Sequence, residues 1–245
     1  MKFFKELKLL LNNVPSLIVS LFIISVIGMN ILANKSINTN LEWLALDCGI
    51  LLSWLAFLSM DILTKRYGPK AATMISIVAL GINLLIALVF FIASSIPGVW
   101  SGSFVEGSEQ VINDAFDSTF KGTWYILLGS SIAFAVSAII NNFMNYGIGK
   151  LLKKNNFLSF ALRSYVSTFI AQFIDNMLFA LIVSKIFFGW TMLQCVMCSL
   201  FGAIMELLFE IVFSPIGYRI SKKLEQDKIG EQYLNYIEGK NESSN

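Results

Sequence analysis

The run MELLFEIVFSP, residues 205–215, places two acids, Glu206 and Glu210, in a segment that is otherwise almost wholly apolar. Residues four apart lie on one face of a helix, so both carboxylates are expected on the same side. An ionisable group at membrane depth costs at least about 2.5–3.5 kcal/mol by insertion scales, and it therefore faces a cavity or a partner. The run predicts a membrane helix that borders a polar interior.

The composition of the whole chain is that of an integral membrane protein. Of its 245 residues, 56% are hydrophobic and 14% are charged, whereas a soluble domain carries about 25% charged residues. Histidine is absent, which removes the commonest metal ligand and the usual general base. The C-x-x-C pair at 195–198 lies in an apolar stretch with no second pair, so these cysteines are interpreted as small hydrophobes. We predict no metal, no cofactor and, without a glycine-rich phosphate loop, no ATP hydrolysis.

Six stretches have the roughly 20 mostly apolar residues that a spanning helix needs. They are about 14–34, 41–63, 71–96, 123–149, 159–185 and 191–218. The basic start resembles a signal peptide, but its apolar run is too long and no clean cleavage site follows, so we interpret it as a retained first helix. With the N-terminus in the cytoplasm, outer loops hold only Lys35, Lys121 and Lys185 of the eighteen basic residues. This asymmetry predicts an all-α bundle of six transmembrane helices with both termini cytoplasmic.

Two segments outside these spans are also interpreted. The acidic outer loop, about 97–122, is expected to be a solvated connector, with a short interfacial helix as the alternative. The transmembrane domain is predicted to end at 218. The polar tail, 219–245, is expected to continue the last helix, fray, and become disordered at ESSN.

Polar residues inside the spans predict a cavity. In span five, Gln172, Asp175 and Phe179 share a helix face, which suits a flat, hydrogen-bonding ligand that also stacks. The alternative is that these side chains only bind neighbouring helices. Like charges repel, so Glu206 and Glu210 imply a protonated acid or a cation between them. Asp47 and Asp61 stand near the ends of their span. There, an acid that merely reaches water at the membrane interface is as good an interpretation as a functional acid. Further amides at or near membrane depth are Asn30, Asn34, Asn83, Asn141, Asn142 and Asn145.

Four segments, taken in order, resemble the queuosine-precursor transporter family, also called the vitamin-uptake-transporter (VUT) or YhhQ type. They are MNILANKSI (29–37), MDILTKRYGPKAA (60–72), RSYVSTFIAQFIDNMLF (163–179), and Ser214-Pro215 with Tyr218. The D-x-x-T-x-x-Y-G and R-x(3)-S-x(4)-Q-x(2)-D-x(3)-F elements are specific in combination. The resemblance covers nearly the whole membrane domain.

This resemblance implies a bacterial inner-membrane carrier that imports 7-deazaguanine bases for queuosine in tRNA. The implied fold is similar to the membrane-embedded substrate-binding subunits of vitamin importers. Candidate substrate-binding residues are Asn30, Asn34, Asn142, Asn145, Gln172, Asp175, Phe179, Glu206 and Glu210. Candidate gate or structural residues are Asp61, Thr64, Tyr67, Gly68, Arg163 and Ser167.

Departures from the family pattern bear on the substrate. Lys65 stands where glutamate is common, and Asn142 and Asn145 stand where glutamine and aspartate are expected. Glu206 occupies a place where many members carry lysine. A glutamate there would complement the amine of queuine or of the aminomethyl precursor, which the cyano precursor lacks.

Asp175 is our first candidate to accept the ring N–H and amino group of the base in a paired contact. Gln172 would read another edge, and Phe179, Trp190 or Trp54 would stack on the ring. Expected partners are this small molecule and the lipid bilayer, with no nucleic acid. The coupling ion and the oligomeric state, a homo-oligomer included, are left open.

Three other functions are weighed against this one. The first is uptake of another planar nutrient, such as a vitamin or a purine. The second is an intramembrane aspartyl protease, although Asp61 and Asp175 lack the Y-D and G-x-G-D contexts of that class. The third is a non-transporting scaffold.

Overall fold

The computed structural model describes residues 2–37, 40–41, 43–44, 46–97, 107, 109–121, 124–152, 156–187 and 189–242. These residues form mainly helices, together with one antiparallel pair of two-residue strands. The elements are α1 (Lys2–Asn13), α2 (Ser16–Leu32), β1 (Ser36–Ile37), β2 (Leu46–Asp47), α3 (Ile50–Tyr67), α4 (Pro69–Ala93), α5 (Glu109–Lys121), α6 (Trp124–Leu151), α7 (Phe157–Phe179), a π-helical turn (Ala180–Ser184), α8 (Lys185–Phe187), α9 (Met192–Gln226) and α10 (Glu231–Glu242).

The first predicted span is preceded by a separate helix. The axes of α1 and α2 meet at 109°, and the break falls at Pro15, which has no backbone N–H to continue a helix. In α1, Phe3 and Phe4 are exposed while Leu10 is buried, the pattern of a helix that lies along a surface. The apolar α2 then occupies the stretch predicted to span.

Among the described residues, four helices are long and apolar enough to cross a membrane, and a fifth span results if the bent pair α1–α2 counts as one. The four are α4, residues 127–151 of α6, α7 with its π-helical continuation, and α9. The prediction of six spans is therefore not confirmed, although long helices occupy all six predicted stretches. The chain is a multi-pass bundle by these criteria.

The second predicted span, α3, is not one of these four helices, and it begins later than predicted. It begins at Ile50 rather than near 41, because residues 46–47 pair with 36–37 in the strand ladder. It also carries Asp61, Lys65 and Arg66 within 18 residues. A helix that is wrapped by α2, α4, α6 and α9 meets little lipid, so it can hold more charge than a peripheral span.

Proline within α9 is accommodated locally. Pro215 cannot donate to the carbonyl of Ile211, and Ser214 Oγ donates to that oxygen at 3.2 Å instead. Such side-chain replacement of a lost backbone bond is how membrane helices tolerate proline. The helix thus continues without interruption to Gln226.

Part of the acidic segment that was predicted as an outer loop is helical. Residues 98–106, which include most of PGVWSG, lie outside the described residues. Glu109–Lys121 form α5, whose Phe120 ring packs 4.4 Å from the Phe90 ring of α4. The alternative of a short helix is confirmed for this part, because its aromatic face has an apolar surface to cover.

The tail first continues α9 to Gln226, as predicted, and then forms α10 instead of fraying. Residues 243–245 of the ESSN end lie outside the described residues. After α9, the chain turns and α10 packs against α1. Arg66 donates from Nε and Nη2 to the carbonyl oxygen of Ile229, at 3.0 and 2.8 Å. Tyr233 is fully buried, and its ring centroid lies 6.3 Å from that of Tyr67. Burial, and secondarily the nearby Glu6 carboxylate, raises the pKa of Tyr233, so this phenol stays neutral at physiological pH.

Gly230→Ala should release α10 from the bundle. Gly230 has φ +83°, and an added Cβ would collide with the buried Tyr67 ring. Left-handed strain alone costs about 1–3 kcal/mol, and the ring has no room to retreat. We expect faster proteolysis between 226 and 242. The matched control is Gly239→Ala, whose Cβ would meet nothing within 4 Å, and equal protease resistance of the two variants would contradict this account.

Candidate functional site

A small cleft opens where α2, α3, α6, α7 and α9 converge. Its volume is about 60 Å³, and its polar lining comprises Asn30, Ser53, Ser130, Asp175, Asn176 and Glu206, together with the ring of Phe179. We call this the acidic cleft. The helical repeat places residues 175, 176 and 179 on one side of α7. Glu206 enters the same cleft from the neighbouring helix α9.

Hydroxyl groups hold both acids of the acidic cleft. Ser53 Oγ donates to Glu206 Oε1 at 2.8 Å, and Ser137 Oγ donates to Asp175 Oδ1 at 2.8 Å. Ser130 donates to Asn30 Oδ1 in a short contact. A carboxylate has about four acceptor positions, and these serine bonds orient the two acids of the cleft.

A second polar cluster, the buried acid pair, lies between α3, α6, α7 and α9. Asp61 Oδ1 accepts hydrogen bonds from Asn141 Nδ2 at 3.1 Å and from Asn145 Nδ2 at 2.7 Å. Ser164 Oγ lies in short contact with Asp61 Oδ2 and 2.6 Å from Glu210 Oε1. Asp61 and Glu210 are both fully buried. One serine therefore joins two carboxyl groups from different helices.

The two glutamates of the opening run thus belong to different clusters. Glu206 is bonded by Ser53 of α3 in the acidic cleft, and Glu210 is bonded by Ser164 of α7 in the buried acid pair. Their shared helix face therefore does not bring the two acids into one hydrogen-bonded cluster. Among the described residues, no three potential metal-ligating side chains cluster.

Several predicted binding residues lie outside the acidic cleft. Asn34 donates to backbone oxygens of Asn30 and Ile31 at the end of α2. Asn142 joins helices, because it accepts from Thr64 Oγ1 at 3.1 Å and donates to Thr73 Oγ1 at 3.2 Å. These amides hold the backbone or neighbouring helices.

Gln172 also lies outside the lining of the acidic cleft, but its side-chain amide, unlike those of Asn34 and Asn142, has no hydrogen-bond partner. It lies one helical turn from Asp175 on α7, and neither its Nε2 nor its Oε1 has a hydrogen-bond partner, although the side chain is fully buried. An unpaired buried amide costs about 1–3 kcal/mol per group. Such a residue is poised to bond a ligand or water that enters beside it.

Of the predicted gate residues, Thr64, Tyr67, Gly68 and Arg163 line cavities at the opposite, basic end of the bundle. There a cavity of about 300 Å³ is lined by Lys65, Arg66, Arg163 and Ser221, among others. The Arg163 guanidinium packs 5.3 Å from the Phe160 ring, and its Nε and Nη2 have no hydrogen-bond partner.

The other predicted gate residues support helix ends and turns. Tyr67 donates to the carbonyl of Asn13 at 3.2 Å, which ties α3 to α1. Gly68 has φ +86° and allows the sharp turn into α4. Ser167 donates to the Ser164 carbonyl at 3.1 Å within α7.

Of the three aromatic residues considered for stacking, Phe179 lines the acidic cleft. Trp54 is stacked on Phe213 at 3.8 Å, and Trp190 is not among the cleft residues. Sequence reasoning missed Ser53, Ser130 and Asn176. Of these, Asn176 had a signal, since it is four residues from Gln172 and three from Phe179.

The acidic cleft is too narrow for a ring-sized ligand as it stands. Pockets that hold small organic ligands measure roughly 300–1,000 Å³, against about 60 Å³ here. Volumes of this size hold a few waters. Admission of a base therefore requires the helices that line the cleft to separate.

Gly202→Ala should disturb the acidic cleft without unfolding the bundle. An added Cβ would lie 2.6 Å from Asn176 Nδ2, the mobile end of a side chain that can swing away. We expect a similar melting temperature but ligand affinity lower by roughly tenfold, about one hydrogen bond. The control is Gly81→Ala on α4, which has open space around it. Wild-type affinity in Gly202→Ala would show that Asn176 does not border the ligand.

The sequence was compared with known proteins, solved structures and protein families. No curated protein and no solved structure gives a significant match. A family described as "Putative vitamin uptake transporter" matches residues 47–220. The match covers more than half of the chain, and it includes both acids of the cleft and both acids of the buried pair. The chain therefore belongs to this family of uptake transporters and is a multi-pass membrane protein.

Proposed function

We propose that this carrier imports a 7-deazaguanine base for queuosine salvage and prefers the amine-bearing forms, queuine and the aminomethyl base. The observation that carries the proposal is the convergence of Asp175 and Glu206, from two different helices, on one cleft beside Phe179. Two acids and a ring in one place match the three recognition needs of such a ligand. These needs are a paired N–H edge, a cationic amine and a flat face.

Asp175 is assigned to the guanine-like edge of the base. A deazaguanine presents a ring N–H beside an exocyclic amino group, and a carboxylate accepts both in a charge-assisted pair. Ser137 donates to Oδ1 from the α6 side, which orients the carboxylate. Asn176 lines the same cleft, and its Nδ2 has no hydrogen-bond partner, so it can bond a remaining acceptor of the base.

Glu206 is assigned to the amine. The ammonium group of queuine or of the aminomethyl base pairs with a carboxylate, and a buried carboxylate tolerates its surroundings best when paired. Ser53 holds Glu206 Oε1 from α3. Phe179 supplies the stacking surface, which is permissive toward any planar ring. Specificity therefore depends on the two acids.

The proposal is tested in a host that cannot make queuosine, fed each base separately, with queuosine in tRNA as the readout. Cells carrying the wild-type chain should accumulate queuosine from queuine and from the aminomethyl base at lower concentrations than from the cyano base. A direct assay with purified protein and radiolabelled base excludes indirect effects. If none of the three bases is taken up or bound, the assignment to deazaguanines is wrong.

A second candidate is uptake of a planar vitamin or a purine. The description of the matching family favours it directly, and the acidic cleft could hold another flat cation by the same contacts. Competition against labelled queuine by a panel of vitamins and purines separates the two. A compound that inhibits uptake of labelled queuine at a lower concentration than unlabelled queuine does would be the better substrate. If the protein is a non-transporting scaffold, it should bind and transport none of these compounds.

A further inference from the structure

The buried acid pair contains more hydrogen-bond contacts than its serine can supply. Ser164 Oγ approaches Asp61 Oδ2 and Glu210 Oε1 at hydrogen-bonding distance. A hydroxyl has one hydrogen, and an ionised carboxylate has none. If both acids were ionised, one of the two contacts would bring bare oxygens together. The contacts therefore favour one additional proton on the pair.

The hydrogen bonds place this proton on Glu210. Asp61 already accepts from Asn141 and Asn145 as well as from Ser164, and three donors favour the ionised form. Glu210 Oε2 has no hydrogen-bond partner and is buried, which suits the neutral acid. The resulting chain runs from Glu210 Oε1–H to Ser164 Oγ–H to Asp61.

The charges around the pair are few. Arg163 on α7 acts electrostatically on Asp61, while α6 faces the pair with the uncharged amides of Asn141 and Asn145. The α2 helix has no charged residue, and the only one of α4, Lys70, is paired with Glu6 at 2.6 Å. At the basic-end cavity, Lys65 and Glu225 also stand near Arg163, and Lys222 pairs with Glu225 at 3.2 Å. One ionised acid balanced by Arg163 is electrostatically acceptable, whereas two would not be.

A polar stripe on α7 connects the pair to the acidic cleft. Ser164, Thr168, Gln172 and Asp175 follow at spacings of four, four and three, so they share one helix face. The first three are fully buried. Thr168 Oγ1 and both amide atoms of Gln172 have no hydrogen-bond partner. Water entering along this stripe would link the cleft with the proton on Glu210.

We propose that Asp61, Ser164 and Glu210 form a proton-binding site that is loaded and emptied in each transport cycle. One proton passes from Glu210 Oε1 to Ser164 Oγ as the hydrogen of Ser164 passes to Asp61 Oδ2. The net result is a proton moved from Glu210 to Asp61, next to Arg163 and the basic-end cavity. The proton site stands on its own geometry, while its coupling to base uptake rests on the proposed function.

The proton itself is tested without substrate. Infrared difference spectra of the purified protein across a pH change should contain the carbonyl stretch of a buried protonated carboxylic acid. Glu210→Gln should remove this band, because glutamine keeps the volume and a hydrogen-bond contact to Ser164 but carries no acid proton. Glu231→Gln, at an exposed glutamate of α10, should retain it. A wild-type spectrum without the band, or a band that persists in Glu210→Gln, would overturn the proposal.

Coupling is tested in proteoliposomes with labelled queuine. With an acidic outside, wild-type vesicles should concentrate the base by about tenfold per pH unit of gradient, since one proton carries one decade. Glu210→Gln should equilibrate the base without concentrating it, whereas Glu231→Gln should match the wild type. Equilibration by the wild type without accumulation would overturn the coupling alone. Absence of any uptake by the wild type would overturn the proposed function and leave the infrared result intact.

Discussion

Asp175→Asn should lower the affinity for the deazaguanine base by roughly 10- to 150-fold, the equivalent of about 1.5–3 kcal/mol for hydrogen bonds to a charged group. The carboxylate accepts two neighbouring donors from the base. Asparagine replaces one acceptor oxygen by an NH₂ group, which opposes a donor of the base. Oδ1 is preserved, so the 2.8 Å bond from Ser137 survives and folding should be unaffected. Binding of labelled base to purified protein measures the effect.

The control for Asp175→Asn is Asp114→Asn on α5. Asp114 is an exposed acid on the same predicted side of the membrane, so it changes the charge by the same amount without touching the cleft. It should bind as the wild type does. If Asp175→Asn and Asp114→Asn bind the base equally well, Asp175 does not recognise the base, and the orientation proposed for the ligand is wrong.

Changes at Glu206 should alter which base is preferred rather than whether a base binds. In Glu206→Gln, the preference for the amine-bearing base over the cyano base should fall by about tenfold, since a charged pair becomes a neutral contact. In Glu206→Lys, like charges meet and the preference should reverse. The ratio of uptake rates for the two bases, measured in one strain, cancels differences in protein amount.

Glu225→Gln serves as the matched control on the same helix. Its carboxylate is bonded by Lys222 at the basic end of the bundle, far along α9 from residue 206, and the pair is partly exposed. The preference ratio should be unchanged there. An unaltered ratio in both Glu206 variants would mean that this acid does not meet the amine, while uptake of the bases could still stand.

Much of the acidic cleft could be predicted from sequence spacing alone. Asp175 and Phe179 share a face of α7 because they are four residues apart, and the structure brings them together with Asn30 and Glu206. Position along a helix and side of a helix are both local properties. Periodicity therefore suffices to place Asp175 and Phe179 on one face of α7.

The errors arose where neighbours decide the outcome. Hydropathy alone predicts that α3 starts near 41, because apolar residues there extend the run, but backbone pairing with 36–37 draws residues 46–47 into a strand. A polar composition predicts that the tail frays after α9. It is held by Arg66 and by the buried ring of Tyr233, contacts between segments far apart in the chain.

The run at 205–215 shows most clearly what the sequence alone determines and what depends on the tertiary structure. Its residues alone establish an apolar helix with Glu206 and Glu210 on one face, because that follows from the helical repeat. Four residues correspond to a rise of about 6 Å, enough for the two acids to meet different helices. Whether they pair with each other or with Ser53 and Ser164 depends on where α3 and α7 cross α9, and crossing geometry is a property of packed side chains that no local pattern contains.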